Sequence, residues 1–228
     1  MDQALLEEYL RKYPSGHFAE LAQLQLDRLL AQQGEKKVAI APQEGNPFTK
    51  GSATANTAYR IGDSYQFQVM DPYSKAVQGT VSTEITQITE TEVIFSDGRV
   101  FDLLGNLLRH RDGRRISASQ LQPLEYAIGK RWSSRFTVTF PNGLTSTNDV
   151  DGHIATREKI TVPAGTFDAF RIEVRGVIVA PKGVLRSELN AWRAPDLVRV
   201  PLVREEIRKA GGRTVYAERT ELVSFKQA

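Results

Sequence analysis

The apolar positions fall into three regimes along the chain. In the first, Leu5, Leu6, Tyr9, Leu10 and Tyr13 stripe one face of a helix. Pro14-Ser15-Gly16 breaks it, and Phe18, Leu21, Ala22, Leu26, Leu29 and Leu30 stripe a second helix. Ser15 is placed to cap that helix and Gly34 to follow its last turn. The pattern predicts a helix hairpin over residues 2–33. Two such helices bury too little to stand alone, so they must dock onto something.

Over residues 34–57 the periodicity disappears. Pro42, Gly45, Asn46, Pro47, Gly51 and Ser52 set the composition, which predicts a flexible linker. From residue 58 to 228 the period becomes two. Tyr65, Phe67 and Val69 alternate with polar residues, as do Val77 to Ile85, Phe136 to Phe140 and Phe170 to Gly176. Asp97-Gly98, Gly105-Asn106, Asp112-Gly113, Asn142-Gly143 and Gly211-Gly212 are hairpin dipeptides between them. The fold class read from this is α+β and mainly β: a helix hairpin, a linker and a curved antiparallel β-sheet.

A short internal repeat divides the β region. Tyr59-Arg60-Ile61-Gly62-Asp63-Ser64-Tyr65 aligns with Tyr126-Ala127-Ile128-Gly129-Lys130-Arg131-Trp132, each copy opening a strand-rich segment. It predicts two related halves, about 58–123 and 124–228.

The 228 residues are 40% hydrophobic and 25% charged, which excludes disordered and collagen-like classes. The absence of cysteine removes thiol nucleophiles and thiolate metal sites. The net charge of +3 does not by itself indicate nucleic acid, and none is expected as a partner. Met1 to Glu8 is acidic and amphipathic, unlike a signal peptide, and no apolar run approaches the ~20 residues of a spanning helix.

Two stretches carry resemblances. Leu6 to Glu20, with Tyr13-Pro14 joining two helices, resembles the tetratricopeptide-like repeats of bacterial envelope proteins. A single repeat starting almost at Met1 predicts that the chain is part of a longer protein. Ile160-Thr161-Val162-Pro163-Ala164-Gly165-Thr166-Phe167-Asp168-Ala169-Phe170-Arg171-Ile172, with Ala191-Trp192-Arg193-Ala194-Pro195, resembles a family of bacterial envelope β domains of unknown function. That family is distantly similar to periplasmic lipoprotein carriers. Ile61-Gly62-Asp63, Arg99-Val100-Phe101-Asp102 and Gly105-Asn106 resemble the preceding half of tandem modules appended to caspase-like bacterial proteins. The resemblance implies a periplasmic or envelope location and a curved sheet, and it transfers no catalytic residue. The family usually continues with Gly after Ala-Pro, whereas this chain has Asp196-Leu197. On the residues themselves, Pro163-Ala164-Gly165-Thr166 reads as a turn.

The chemistry available is sparse. His17 starts the second helix, and His110 sits among Arg109, Arg111, Arg114 and Arg115, whose charge repels a metal. His153 follows Asn148-Asp149-Val150-Asp151-Gly152, which lacks the spacing and closing Glu of a calcium loop. There is no Gly-x-Ser-x-Gly elbow and no phosphate-binding Gly-rich loop. No catalytic residue, cofactor or metal is assigned. Arg109, Arg111, Arg114 and Arg115 cluster around an Asp-Gly turn and form a candidate contact for an anionic surface.

Two functions are expected from this reading. The first is a non-catalytic interaction module of a larger bacterial envelope protein, recognising a protein or envelope component. The alternative is a carrier-like module that holds an acyl chain or other apolar ligand. Trp132, Phe136, Phe140, Phe170, Ile172 and Trp192 would line the concave face of its sheet.

Overall fold

The computed structural model describes residues 3–12, 18–32 and 52–227. Two helices, α1 (Gln3–Lys12) and α2 (Ala19–Gln32), pack on each other through Leu6, Ala22 and Leu26, with Tyr9 and Leu10 against them. Leu24 of α2 lies against the main core of the β region. Pro14, Ser15, Gly16, His17, Gly34 and residues 35–51 lie outside the described residues. The connection and caps expected for a hairpin, and most of the expected linker, are therefore not among them.

The end of the expected linker is tied down. Strand β1 (Ala53–Thr54) pairs with β8 (Glu125–Tyr126), and the amides of Ala55 and Asn56 donate to the carbonyls of Leu124 and Pro195 at 2.7 Å. Residues 53–56 of the expected linker are thus paired to the β region. Backbone groups set against a folded surface need partners, and here two loops supply them.

The remaining strands are β2 (Ser64–Met70), β3 (Val77–Ile88), β4 (Glu92–Phe95), β5 (Val100–Asp102), β6 (Leu107–Arg109) and β7 (Arg115–Ile116), then β9 (Arg131–Thr139), β10 (Thr145–Val162), β11 (Gly165–Ala180), β12 (Gly183–Arg193), β13 (Val203–Ala210) and β14 (Arg213–Lys226). These 12 strands form a closed antiparallel barrel, ordered β10-β11-β12-β13-β14-β2-β3-β4-β5-β6-β7-β9. The expectation of a curved sheet is corrected to a closed one. β14 reaches β2 through Arg219 to Lys226, and β7 meets β9 through Arg115 and Ile116, so each otherwise unpaired edge is covered.

The two copies of the repeated heptapeptide have the same backbone pairing. Gly62 and Gly129 adopt φ of 91° and 87°, and each donates its amide at 2.9 Å, to the carbonyls of Ile85 and Ile154 respectively. Those isoleucines return a bond to the carbonyls of Asp63 and Lys130, and both are fully buried. One strand pair, β2–β3 or β9–β10, follows each turn. Only a residue that accepts positive φ can make this entry, which is why glycine stands at both positions.

Inside the barrel two apolar clusters form. One gathers Tyr65, Ile85, Val93, Phe95, Leu202, Val203 and Leu222; the other gathers Tyr126, Val150, Ile154, Phe170, Ile172, Val174 and Ala191. The first lies under a plug at the end where β2 begins and β14 finishes. There the carboxylate of Asp63, wholly buried, accepts from the Arg60 amide at 3.0 Å and pairs with the guanidinium of Arg199. Arg193 donates to the Arg199 carbonyl at 2.8 Å, and the amides of Leu197 and Val198 turn back onto the Ala194 carbonyl. The Ala-Pro segment, which continues here with Asp196-Leu197, is therefore one turn of the plug. Asn106 stitches a second loop in, accepting from the amides of Leu121 and Gln122 at 2.8 Å and donating to Asp102 at 2.9 Å.

Asp63→Ala leaves the Arg199 charge buried with its partner gone, and we expect a loss of about 3–5 kcal/mol in urea unfolding; a change below 1 kcal/mol would show the pair to be dispensable. A second test concerns Gly152, whose added Cβ would stand 2.4 Å from the Trp132 ring. Gly152→Ala should cost about 1–3 kcal/mol through overpacking. Trimming the ring with Trp132→Leu in the same chain should recover part of that loss, measured by thermal unfolding of the single and double variants.

Candidate interaction surface

Alternation of strand direction sends the β2–β3, β4–β5, β6–β7, β9–β10, β11–β12 and β13–β14 connections to one end of the barrel. The described chain enters at Tyr59–Asp63 and leaves at Lys226, both at the opposite, plugged end. The six hairpin tips are thus at the end remote from both the entry to β2 and the exit from β14.

Three tips are built alike because their sequences repeat the same turn chemistry. In Asp97-Gly98, Asp112-Gly113 and Asn142-Gly143 the glycine amide donates at 2.9 Å to the carbonyls of Phe95, His110 and Phe140. The Asp or Asn side chain accepts the next amide but one, from Arg99, Arg114 and Leu144, each at 3.1 Å. This is the self-capping that makes Asx-Gly a turn. The β2–β3 tip uses Asp71 in the same manner, accepting from Ser74 at 2.7 Å and Tyr73 at 3.0 Å. Tyr73 then reaches Thr214 of the β13–β14 hairpin at 3.2 Å.

What these tips present is apolar and cationic. Tyr73 is 61% exposed, Val77 and Val184 are 57% exposed, and Leu144, Val177, Val179, Val215 and Tyr216 are exposed beside them. The same end carries Lys75, Arg109, Arg111, Arg115, Lys182 and Arg213, all exposed. Of its carboxylates, Asp97 is tied to Arg99 and Asp112 to Arg114, both at 2.7 Å. The Arg114 hydrogen bond, with help from His110, holds the Asp112 carboxyl far below the usual range. Arg109 and Arg115 stand directly opposite one another across β6 and β7, a like-charge pair.

The four arginines predicted to cluster do share one hairpin, but they are not equivalent. Arg114 is spent on Asp112 and covers the Phe140 ring at 5.9 Å, whereas Arg111 and Arg115 make no ion pair among the described residues. The six residues predicted to line an apolar concavity separate. Phe170 and Ile172 are buried in one cluster with Trp132 and Phe136 packed on it. Phe140 lies beyond the end of β9, under Arg114. Trp192 belongs to the other cluster: it pairs with Arg171 and Val203 while its neighbour Ala191 pairs with Ile172, and its half-buried ring packs against the cluster of Val203 and Ala169, donating to Glu158 at 2.7 Å. Asn148 is buried while Asp149 and Asp151 are exposed, because strand alternation divides that acidic stretch between two faces. Among the described residues no group of three or more His, Asp or Glu is placed to hold a metal.

Sequence reasoning missed two charged arrays. On the outer wall, one cross-strand row runs Arg131, His153, Glu173, Asn190, Glu205, Arg219, Met70. Arg171 and Arg175 clamp Glu173 and hold its carboxyl below the usual range against partial burial, and Arg219 joins Glu205 at 3.1 Å and Glu221 at 2.7 Å. This polar belt differs from the outward-facing apolar band of a membrane-spanning barrel. On the inner face, Arg204 and Glu206 lie opposite Ala191 and Leu189, and Glu206 opposite Glu218. Burial raises the Glu206 carboxyl, but Arg204 and Arg208 outweigh it and bring it down to about 2. Burial and the Glu218 charge push Tyr216 up to about 12. The i, i+2 spacing of Arg204, Glu206 and Arg208 was the available signal, since it puts all three on one face of a strand. Two shallow depressions, of about 470 and 510 Å³, lie on the outer wall.

Because Glu206 titrates lower in the folded chain than its ordinary 4.5, the stability it contributes is complete above about pH 4.5 and is lost as pH falls toward 2. Glu206→Gln should therefore flatten the fall of Tm between pH 5 and 3. An unchanged slope in thermal scans across that range would remove the ion cluster from the account.

The fold has relatives among solved structures. A proposed exported protein with a YmcC-like fold from Bacteroides fragilis superposes with a TM-score of 0.51 at 12% identity, over 77% of this chain and 100% of that one. A proposed lipoprotein of Parabacteroides distasonis gives 0.48 at 13% identity, over 76% and 100%. The hypothetical lipoprotein YmcC of Escherichia coli gives 0.42 at 11% identity, over 73% and 85%. No protein-family model matches the chain and no curated protein is recognisably similar in sequence. The likeness is one of fold: the chain is similar to the YmcC-like barrel of the Bacteroides protein.

Proposed function

We propose that this chain is a non-catalytic interaction module of the bacterial cell envelope, which recognises a protein or envelope component through the tip end of its barrel. The observation that carries the reading is the gathering of exposed apolar side chains from four different hairpins at the end remote from the entry to β2 and the exit from β14. Exposed apolar side chains grouped at one end of a molecule, with polar residues around them, mark interaction sites. The envelope location draws its support from the exported Bacteroides relative and from the resemblance of Ile160 to Ile172 to envelope β domains.

The same observations favour this reading over a carrier. Phe170 and Ile172 are each 1% exposed in a cluster that Trp132 and Phe136 pack against, as in a filled core rather than a ligand chamber. The charges in the barrel are also spoken for. Glu173 and Glu206 are each clamped by two arginines, which keeps them ionised at neutral pH, whereas a general acid needs a raised pKa.

A photo-crosslinking side chain placed at Tyr73 or Val184 in envelope-bearing cells should capture a partner, protein or lipid, several-fold more than the same probe at Glu84 on the outer wall. Equal or absent capture at the tips overturns the reading.

A further inference from the structure

The partner itself is legible in the chemistry of the tips. We infer that the tip end docks on an anionic lipid surface, its cations on headgroup phosphates and its valines, Leu144 and Tyr73 in the interfacial layer. This deepens the interaction-module reading and rests on it.

Three independent features converge. First, cations predominate at this end: Arg111, Arg115, Lys182 and Arg213 make no ion pair among the described residues, whereas Asp97 and Asp112 are consumed by Arg99 and Arg114, Asp71 is capped by the Tyr73 and Ser74 amides, and Asp149, beside Val177, is an exposed carboxylate. A surface of opposite charge complements such an array. Second, the β6–β7 register sets Arg109 and Arg115 opposite one another, with Arg109 donating to the Gly98 carbonyl at 3.3 Å. Like charges on neighbouring strands are relieved by an anion beside them, and a phosphate offers the forked acceptors that suit guanidiniums. Third, the apolar side chains beside these cations are branched aliphatics and two tyrosines, Tyr73 and Tyr216, raised on separate tips, not one flat continuous face. Protein interfaces ask for a packed, dry centre with aromatic anchors. Scattered aliphatic tips with interleaved Arg and Lys suit a fluid interface that closes around each one, with the long basic side chains reaching the headgroups. The charged belt of Glu173, Glu205, Arg219 and Glu221 stops the barrel from entering further, so the contact is peripheral.

The test is vesicle flotation of the full chain with phosphatidylcholine alone and with 30 mol% phosphatidylglycerol, at low and at 0.5 M salt. The chain should float with the anionic vesicles at least tenfold more than with the neutral ones, and salt should weaken it. The quadruple variant Arg111→Ser, Arg115→Ser, Lys182→Ser, Arg213→Ser should lose at least tenfold of that partition. The separate variant Val184→Asp should lose binding with its cations intact. Equal Tm values establish that both remain folded, and all five positions are exposed, which favours that. Equal flotation with the two vesicle types, or full retention by the quadruple variant, overturns the inference. If flotation fails while the tip probes capture a protein, the lipid partner is excluded and the interaction-module reading stands. If both fail, both are excluded.

Discussion

Pairing carried all the way round the sheet is the condition on which everything else in this molecule rests. A strand with a bare edge holds a row of unsatisfied amides and carbonyls, and twelve strands arranged in a ring have none. Closure then imposes two further requirements. Successive strands must alternate in direction, which sorts the connections into two ends. And the ring must be stopped at one end, because an apolar interior cannot stand open to water at both. The ion pair of Asp63 with Arg199, roofed by Arg193 and the turn at Ala194, belongs to that stop. Its charges sit at a junction of loops, where carbonyls and amides are already present to share them, rather than among the aliphatic side chains farther in.

The division of labour between the ends follows. Connections at the plugged end are bonded to one another, by Asn106 to the 121–122 amides and by Ala164 to Leu222, and two of them, 117–130 with its short β8 and 194–202, are long. Those at the other end are shorter, and four of them are satisfied by their own Asp or Asn. A self-satisfied turn does not need its neighbours, so its outward residues are released from structural duty. Exposed valine, leucine and tyrosine can therefore collect there without a packing reason.

Much of the barrel was legible from sequence because local rules set it. Alternation at Tyr65, Phe67 and Val69 and the Asx-Gly dipeptides carry strands and turns on their own, and the paired Gly62 and Gly129 heptapeptides occupy matching entries to β2 and β9. What escaped depends on register. β7 has two residues and β5 and β6 three each, too few to show a period, so closure through them could not be read. Arg199 meets Asp63 across 136 positions. Trp192 was grouped with Phe170 and Ile172 but packs on the other cluster, since its side is decided by which residue of β11 it stands against. The charged run of β13 hides an inner-face array for the same reason: Glu206 is a buried residue only once Leu189 is known to lie beside it. The Arg109–Arg115 cluster was visible as composition, but its cross-strand register was not.

The seams that β7 makes are among the narrowest in the ring: Arg109 and Arg115 are its one registered pair with β6, and Arg115 and Ile116 are its partners on β9, supplemented by bonds between Ser117 and Thr137. The junctions from β9 round to β3 each span at least seven residues. A ring parts first where fewest bonds must break at once, so tension on this cylinder is released at β7, unrolling it into an open sheet with β9 as a sticky margin.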